Sequence, residues 1–410
     1  MNTPDFRPSI VAVADSDSYL KLACTTLAAL GPGWDRRVVL VRTPLCPTEE
    51  QIDAATLGTG FAGEDIEVLA LPSLGFESLT EDIVFAAATG PVVSELFATL
   101  LRSRGNQPRS AALVSALPGV AYPATANGWR YRRSSDAFIV HSHAESREFE
   151  QLAERESEHT PAILVSKLPF LRTAGFPQPQ AQAVTSVVFA AQAKVPVQRE
   201  EREAILLALD QVVRLNPQVR VVVKLRARAG EPQTHAEAFP FDSLWNDLAA
   251  RGAVGASHVD FVAGSMDAVL VPGAALLTVS STAALEAIDR GLPVLVITDF
   301  GINEQMINTV FRGSGLLGTL EDAQALQFSS PNRAWLRENY FHRRGPEFAS
   351  TLGHYAHRAR SGQLATSASQ LAMASHVGLR RKIRTRLPLP LLAVLLKVRR
   401  RWVRLRSSRA

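Results

Sequence analysis

Three groups of residues in this chain have types and spacings that can do chemistry. The first is Ser280-Ser281-Thr282 followed by Glu286. The apolar run Ala274 to Val279 before it reads as a buried strand, and Ala283 to Asp289 has helical composition, closed by Gly291 and Pro293 ahead of a second apolar strand ending at Ile297. In such a unit the first N–H groups of the helix are expected to be unpaired at its positive dipole end, with hydroxyls beside them, which suits a phosphate. Glu286, about one turn further in, is placed to accept hydrogen bonds from a ribose. The same Ser, Ser and Thr also read as an ordinary N-cap, and Gly then Pro as an ordinary helix stop.

The second group is made of acids and imidazoles. Asp15 and Asp17 follow the apolar strand Ser9 to Ala14. An Asp-x-Asp pair can hold a divalent metal, but any acidic turn produces this spacing and no other ligand cluster accompanies it. The preferred reading is that one of the two is a general base facing a substrate hydroxyl; the alternative is that they cap the helix beginning near Tyr19. His141 and His143 end the strand Ala137 to Val140. With no third ligand they make a poor metal site, whereas a histidine at a strand end can move a proton at a cleft.

The third group is cationic. Lys194 lies in the turn after the strand Thr185 to Ala190, and Lys224, Arg226 and Arg228 alternate beyond the strand Val219 to Val223. Alternation points them to one side if the strand continues, which is costly in a core and useful opposite phosphate. His235 lies just beyond, a candidate for ligand contact or proton transfer.

These groups need a scaffold, and the chain supplies strands alternating with helices. In the first half the strands are Ser9–Ala14, Val38–Val41, Ile66–Leu71, Ala111–Ser115, Ala137–Val140 and Ile163–Ser166. Helical stretches lie near Tyr19–Leu30, Thr48–Leu57, Ile83–Ser103 and Ala144–Arg155. This order implies a mostly parallel sheet with ligands at its strand ends. Between the fifth strand and its predecessor, Pro118 to Asp136 gathers Gly, Pro, aromatic and basic residues, read as a surface loop able to hold a sugar ring or an anion. Thr173 to Gln182 loses periodicity and gathers Pro and Gln, as a linker does. The pattern then restarts, with helices expected at Glu200–Leu215 and Ser265–Leu270 and a polar turn, Thr298 to Gln305, opening a helix through Phe311. The expected division is 1–173, a linker 174–183, 184–350, and a helical, basic end 351–410.

The net charge of +5 hides an asymmetry. From Arg380 onward there are 12 Lys and Arg and no acid, which leaves 32 basic against 39 acidic side chains in the remainder, a net of −7. An acidic body argues against a nucleic-acid partner. Residues 380–409 place a short apolar segment, Leu387 to Val398, between basic flanks, which suits an anionic membrane surface and is too short to span it. A disordered basic end and an RNA contact are the alternatives. Cys24 and Cys46 give neither a disulfide framework nor a zinc cluster, and the N-terminus lacks a leader pattern. A cytoplasmic protein, peripheral at the inner face of the plasma membrane, is the expectation.

The stretch Glu286-Ala287-x-x-x-Gly291-x-Pro293-Val294 resembles the nucleotide-binding element of the C-terminal domain of GT-B glycosyltransferases. With its hydroxyl turn it is most similar to the capsule, sialic-acid, Kdo and CDP-glycerol transferases of bacteria. The stretches Phe189 to Lys194 and Lys224 to Ala227 also resemble an actinobacterial glycosyltransferase family. The resemblance covers mainly Thr185 to Gly318. It implies an α/β fold of two Rossmann-like doubly wound domains facing a cleft, the first binding the acceptor and the second the nucleotide donor. It implies donor contacts from Ser280, Ser281, Thr282, Glu286, Lys194, Lys224, Arg226 and His235, with Asn303 and Glu304 touching the donor sugar, and a catalytic group among Asp15, Asp17 and His141. The implied partners are a nucleotide-activated sugar (CMP-, CDP- or UDP-linked) and a glycan or lipid-linked acceptor of the cell envelope or capsule, with no metal and no cofactor besides the donor. A sugar-nucleotide 2-epimerase of the same fold and a non-catalytic membrane or RNA adaptor are the rival readings.

Overall fold

The computed structural model describes residues 7–386 except 44, 106, 157–158, 169, 172–174, 181, 226–236, 256–258 and 343–346; side chains are not described at 104 and beyond 377. The first half runs β1 (Ser9–Ala14), α1 (Asp17–Ala29), β2 (Asp35–Val41), α2 (Glu49–Thr56), β3 (Glu67–Leu69), β4 (Ile83–Ala86), α3 (Gly90–Arg104), β5 (Ala112–Ala116), α4 (Ala126–Arg130), β6 (Ala137–Val140), α5 (His143–Glu156) and β7 (Ala162–Val165). The second runs β8 (Ser186–Ala190), α6 (Arg199–Leu215), β9 (Arg220–Lys224), α7 (Phe241–Ala250), β10 (Val259–Val262), β11 (Ala274–Thr278), α8 (Ala283–Asp289), β12 (Val294–Ile297), β13 (Leu317–Gly318), α9 (Leu320–Gln324) and α10 (Arg333–Glu338). Two helices close the chain, α11 (Glu347–Arg360) and α12 (Ala368–Arg386).

Two parallel sheets result, in the orders β3-β2-β1-β4-β5-β6-β7 and β10-β9-β8-β11-β12-β13. Their central strands are short runs of Val, Ile, Leu, Ala and Phe buried on both faces, the composition that a sheet covered by helices on each side requires. Each sheet reverses its strand order once, between β1 and β4 in the first and between β8 and β11 in the second. Beyond the carboxyl ends of strands at such a reversal lies the crevice in which open α/β sheets bind ligands.

Three local expectations are corrected. Ile83 to Ala86, read as the start of a long helix, is a central strand paired with both β1 and β5. A fully buried apolar run has no period that separates strand from helix, and Gly90-Pro91 marks where the helix begins. The helix expected at Ser265–Leu270 is one 3-10 turn, Met266–Ala268. The helix expected through Phe311 is a loop ending in the 3-10 turn Thr309–Phe311. Asparagine side chains compete with the helix there: Asn308 Nδ2 donates to Gly301 O (3.0 Å), Asn303 N to Asn308 Oδ1 (3.1 Å) and Met306 N to Asn303 Oδ1 (2.9 Å).

Residues 351–377 are packed rather than tail-like, which corrects the expected fourth segment. Leu352, Ala356 and Ala359 fall on one face of α11 and join Ile10, Ile83 and Val114 in the core of the first sheet, while Ala374 and Val377 of α12 pack with the cluster around Val93, Phe97 and Leu101 of α3. Ion pairs fix this return. Arg360 donates to both oxygens of Asp82 (2.9 and 2.6 Å), and the buried Arg109, forked onto Asp136, donates its backbone N–H to Leu364 O (2.9 Å). Among the described residues no helix is long and apolar enough to cross a membrane. Of the expected membrane segment, 380–409, residues 380–386 continue α12 and 387–409 lie outside the described residues.

Candidate functional site

At the reversal of the first sheet, Asp15 leaves the end of β1 and turns under the start of α3. Its Oδ1 accepts the Thr89 N–H (2.9 Å), and its Oδ2 accepts the Thr89 hydroxyl. Asp15 is 1% exposed, and burial raises its pKa above the ordinary value of 3.8 against the opposing pull of Thr89 and Arg132. Arg132 lies below it, equally buried. Its N–H groups reach Ala116 O (3.0 Å), Gly128 O (3.3 Å), Ala88 O (3.1 Å) and the Tyr19 hydroxyl (2.9 Å). Burial lowers the pKa of Arg132 and raises that of Tyr19. Each Asp15 oxygen thus accepts one hydrogen bond from Thr89, which ties the end of β1 to the start of α3 and holds the carboxyl in a buried position. Asp17 is half-buried in the first turn of α1.

The second sheet is spanned at its reversal in the same way. Gln192, two residues past β8, accepts the Ser280 N–H at Oε1 (2.8 Å) and donates from Nε2 to Ser280 Oγ (3.0 Å). Thr278 Oγ1 donates to Ala190 O (3.2 Å) and accepts the Ser281 N–H (3.1 Å). Ser281 then accepts from Ala283 N at Oγ (3.2 Å) and from Ala284 N at O (3.0 Å). The unpaired amides expected from the sequence are therefore mostly paired; among the described residues Thr282 N–H alone in this turn lacks a partner. The hydroxyls remain on the surface, with Ser280 and Ser281 half-buried and Thr282 exposed, and Glu286 follows half-buried one turn in.

The two halves meet over these turns. A Cβ on Gly119, in the loop after β5, would stand 3.5 Å from Thr282 Cγ2. Val120, Tyr122 and Phe170 of the first half pack into the second-half cluster of Ala283, Ile288 and Val310. Beside them a cavity of about 420 Å³ is walled by Tyr122 and Pro123 on one side and by Asn303, Glu304, Gln305, Thr309 and Arg312 on the other. Its volume is within the range of roughly 300–1,000 Å³ usual for small-molecule sites.

Glu145, which the sequence did not single out, ties this meeting together. It is fully buried at the start of α5; Oε1 accepts Ala121 N–H (2.7 Å) and the Tyr340 hydroxyl (2.7 Å), and Oε2 accepts His141 N–H (2.8 Å). Burial raises the pKa of Tyr340 well above 10.0, and the Glu145 charge adds to it. One carboxylate thus joins the cleft loop, the end of β6 and the segment returning from the second half.

Other expected site residues fall as follows. His141 is buried, with Nε2 on Leu117 O (2.8 Å) and Nδ1 on Ser166 O (3.0 Å). Both ring nitrogens thus face backbone carbonyls, to only one of which a neutral imidazole can donate, and the side chain is enclosed between two loops. His143 is exposed and lies 5.2 Å from His342, ring to ring. Lys194 is exposed, whereas Lys224 is buried and donates to Leu225 O (2.7 Å). Arg226 and His235 lie outside the described residues. In the aromatic and basic stretch before β6, Trp129 is fully buried against Phe138 and Phe149 and Arg130 pairs with Glu156 (2.8 Å), while Tyr122 lines the cavity. Among the described residues no group of three or more His, Cys, Asp or Glu could hold a metal.

Comparison with known proteins agrees with this geometry. The model of the family described as "Putative glycosyltransferase (DUF6716)" matches residues 10–355. No curated protein matches the sequence. Among solved structures, S. aureus MnaA with UDP is similar at a TM-score of 0.52 and 10% identity, over 87% of this chain and 98% of that one. A putative UDP-N-acetylglucosamine 2-epimerase from Listeria monocytogenes gives 0.50 and 13%, over 91% and 95%. The pneumococcal O-GlcNAc transferase GtfA with UDP and GlcNAc gives 0.48 and 10%, over 92% and 99%. The fold is GT-B: two Rossmann-like domains with their strand ends facing a shared cleft.

Proposed function

The chain belongs to the DUF6716 glycosyltransferase family, and on that premise we propose that it moves a sugar from a nucleotide-linked donor, CMP-, CDP- or UDP-activated, to a glycan or lipid-linked acceptor of the cell envelope. The observation that carries this reading is the cavity between the domains, one wall from the loop after β5 and the other from the loop after β12, beside the hydroxyl turn. The second domain holds the donor, with Ser280, Ser281, Thr282 and Lys194 toward its phosphates and Glu286 toward its ribose. Asn303 contacts the sugar. The proton of the acceptor hydroxyl goes to Glu304, an exposed carboxylate in the cavity wall, and Asp17 is the second candidate. The acceptor oxygen then forms its bond to the anomeric carbon as the bond to phosphate breaks, the electron pair leaving with the nucleotide. No metal or cofactor takes part in this scheme; Asp15 is buried and hydrogen-bonded to Thr89. The basic segment 380–409 holds the enzyme at the inner face of the plasma membrane, beside a lipid-linked acceptor.

Thermal unfolding with CMP-, CDP-, UDP- and GDP-linked sugars tests the core of this reading. A ligand at a hundred times its Kd stabilises by about 2.7 kcal/mol, enough to register as a raised Tm. No stabilisation by any of them would reject a nucleotide-sugar enzyme. Conversion of a bound nucleotide sugar to its 2-epimer without acceptor would replace transfer by epimerisation, and turnover lost to a chelator would reject the metal-independent scheme.

A further inference from the structure

The second-domain wall of the cavity carries charges that its own fold does not neutralise. Arg199, Arg202, Arg214, Arg220, Arg251 and Arg290 of this domain each pair with a carboxylate. Arg312 donates one N–H to Ile302 O (2.7 Å) and makes no ion pair among the described residues. A guanidinium has five N–H donors in a planar fork, so most of its capacity is left over. Glu304, on the same wall, also makes no ion pair among the described residues, so the two opposite charges stand apart and do not cancel. Thr309 adds a buried hydroxyl with no hydrogen-bond partner among the described residues, and buried polar groups seldom stay unsatisfied. Between Glu304 and Thr309, Ile307 is held at φ 57° while 41% exposed. A left-handed β-branched residue is costly, and such cost is kept where a loop must present its neighbours in one geometry. Asn303 and Asn308 lock that geometry from within.

We propose that this cavity is an acceptor subsite for a glycosyl or polyol unit bearing an anionic group, a carboxylate or a phosphate, which Arg312 binds while a hydroxyl of the same unit donates to Glu304. The pairing of one free cation with one separate free carboxylate is what a ligand carrying both a negative group and hydroxyls requires. Gln305 and Thr309 offer neutral donors and acceptors for the remaining hydroxyls, and Tyr122 offers a ring edge or face. This assignment rests on the transferase reading for the word acceptor, and on the cavity alone for the anion.

Calorimetric titration of the full chain with sodium glucuronate, glycerol 3-phosphate, glucose, CMP, CDP, UDP and GDP, in the unmodified protein and in R312Q, tests it. The expected result is that one or both anionic probes bind at least tenfold more tightly than glucose. R312Q should remove that preference while nucleotide binding is unchanged. Which of the two probes binds more tightly identifies carboxylate or phosphate as the source of the anion. T309V, a nearly isosteric change, should weaken the preferred anion severalfold. Anionic probes no tighter than glucose, or an unaltered preference in R312Q, would overturn the proposal. If R312Q loses nucleotide binding in step with the anions, Arg312 holds the donor phosphates and the acceptor assignment falls. If CMP, CDP, UDP and GDP all fail to bind the unmodified protein while glucuronate or glycerol 3-phosphate binds through Arg312, the anion site stands and the transferase reading fails.

Discussion

Replacing Asp15 by Asn separates the scaffold reading of this residue from a catalytic one. Asparagine keeps the side-chain volume; its oxygen can accept the Thr89 N–H and its amide can donate to the Thr89 hydroxyl, so both bonds keep a partner. What is lost is charge assistance, about 1 kcal/mol per bond on the difference between charged and neutral hydrogen bonds. The nearby negative charge is also lost to Arg132, but the four hydrogen bonds of that guanidinium go to neutral oxygens and survive. Against these losses the variant avoids burying a carboxylate, the cause that raises the pKa of Asp15. The terms oppose each other, and D15N is expected to fold with stability within about 2 kcal/mol of the unmodified protein. Turnover should stay within about tenfold, whereas loss of a general base costs roughly 10²–10⁴. The pH dependence has a definite sign. A carboxyl whose folded pKa is raised binds its proton more tightly in the native state, so its contribution to stability declines as pH rises from 3.8 through the raised value and is level above it. D15N should lack this decline. A drop of two or more decades in turnover, with Tm and nucleotide affinity kept, would refute the argument and return Asp15 to catalysis.

Further outcomes follow from the same geometry. Q192A leaves the half-buried Ser280 N–H without its acceptor and should weaken nucleotide binding by about 1 kcal/mol, roughly fivefold; calorimetry showing unchanged affinity would reduce Gln192 to a bystander. The double variant S281A/T282A should lose about 1–3 kcal/mol of nucleotide affinity if its hydroxyls face phosphate, and normal binding would return the turn to helix capping. E145Q turns a donor toward at least one of three donors and should cost about 1–3 kcal/mol in thermal unfolding, more than Y340F, which removes a single donor; the reverse order would contradict the buried-carboxylate account. Deleting residues 387–410 leaves α12 in place, so nucleotide binding should persist while salt-sensitive binding to anionic vesicles weakens; vesicle binding that is unchanged would reject a membrane role for 387–410.

How much could be read from the sequence depended on how local each feature is. The strands β1, β5, β6, β8 and β11 were legible because a buried parallel strand is a compact apolar run bounded by polar turns. The Ser280 to Thr282 turn was legible for the same reason, since strand, hydroxyls and helix follow one another directly. Gln192 and Thr89 were not, because each acts on a residue 88 or 74 positions away that becomes adjacent only once the strand order reverses. Arg132 was hidden in a basic stretch that reads as solvated surface, and nothing local marks the one arginine that turns inward. Glu145 looked like an ordinary acid in a helix's first turn. Its part depends on Tyr340, 195 residues later, returning over the first domain. The packing of α11 was written in its apolar spacing of Leu352, Ala356 and Ala359, but the strong basic run after it drew the whole segment toward the reading of a tail.

The two switch points carry a common constraint on where substrates lie. In each domain the crevice between the diverging strands is bridged by side chains of the fold itself, Asp15 with Thr89 in the first and Gln192 with Ser280 in the second. On the transferase reading, substrate groups are expected to lie over the strand ends, in the space enclosed by the opposite domain. Gly119 over Thr282 and Tyr122 beside Glu304 are where that enclosure is completed. The reacting hydroxyl is therefore expected to meet groups on loops that face across the cleft, not those at the base of either sheet. This is the physical reason to seek the proton acceptor at the exposed Glu304 before Asp15 or His141, which are buried and hydrogen-bonded to the scaffold.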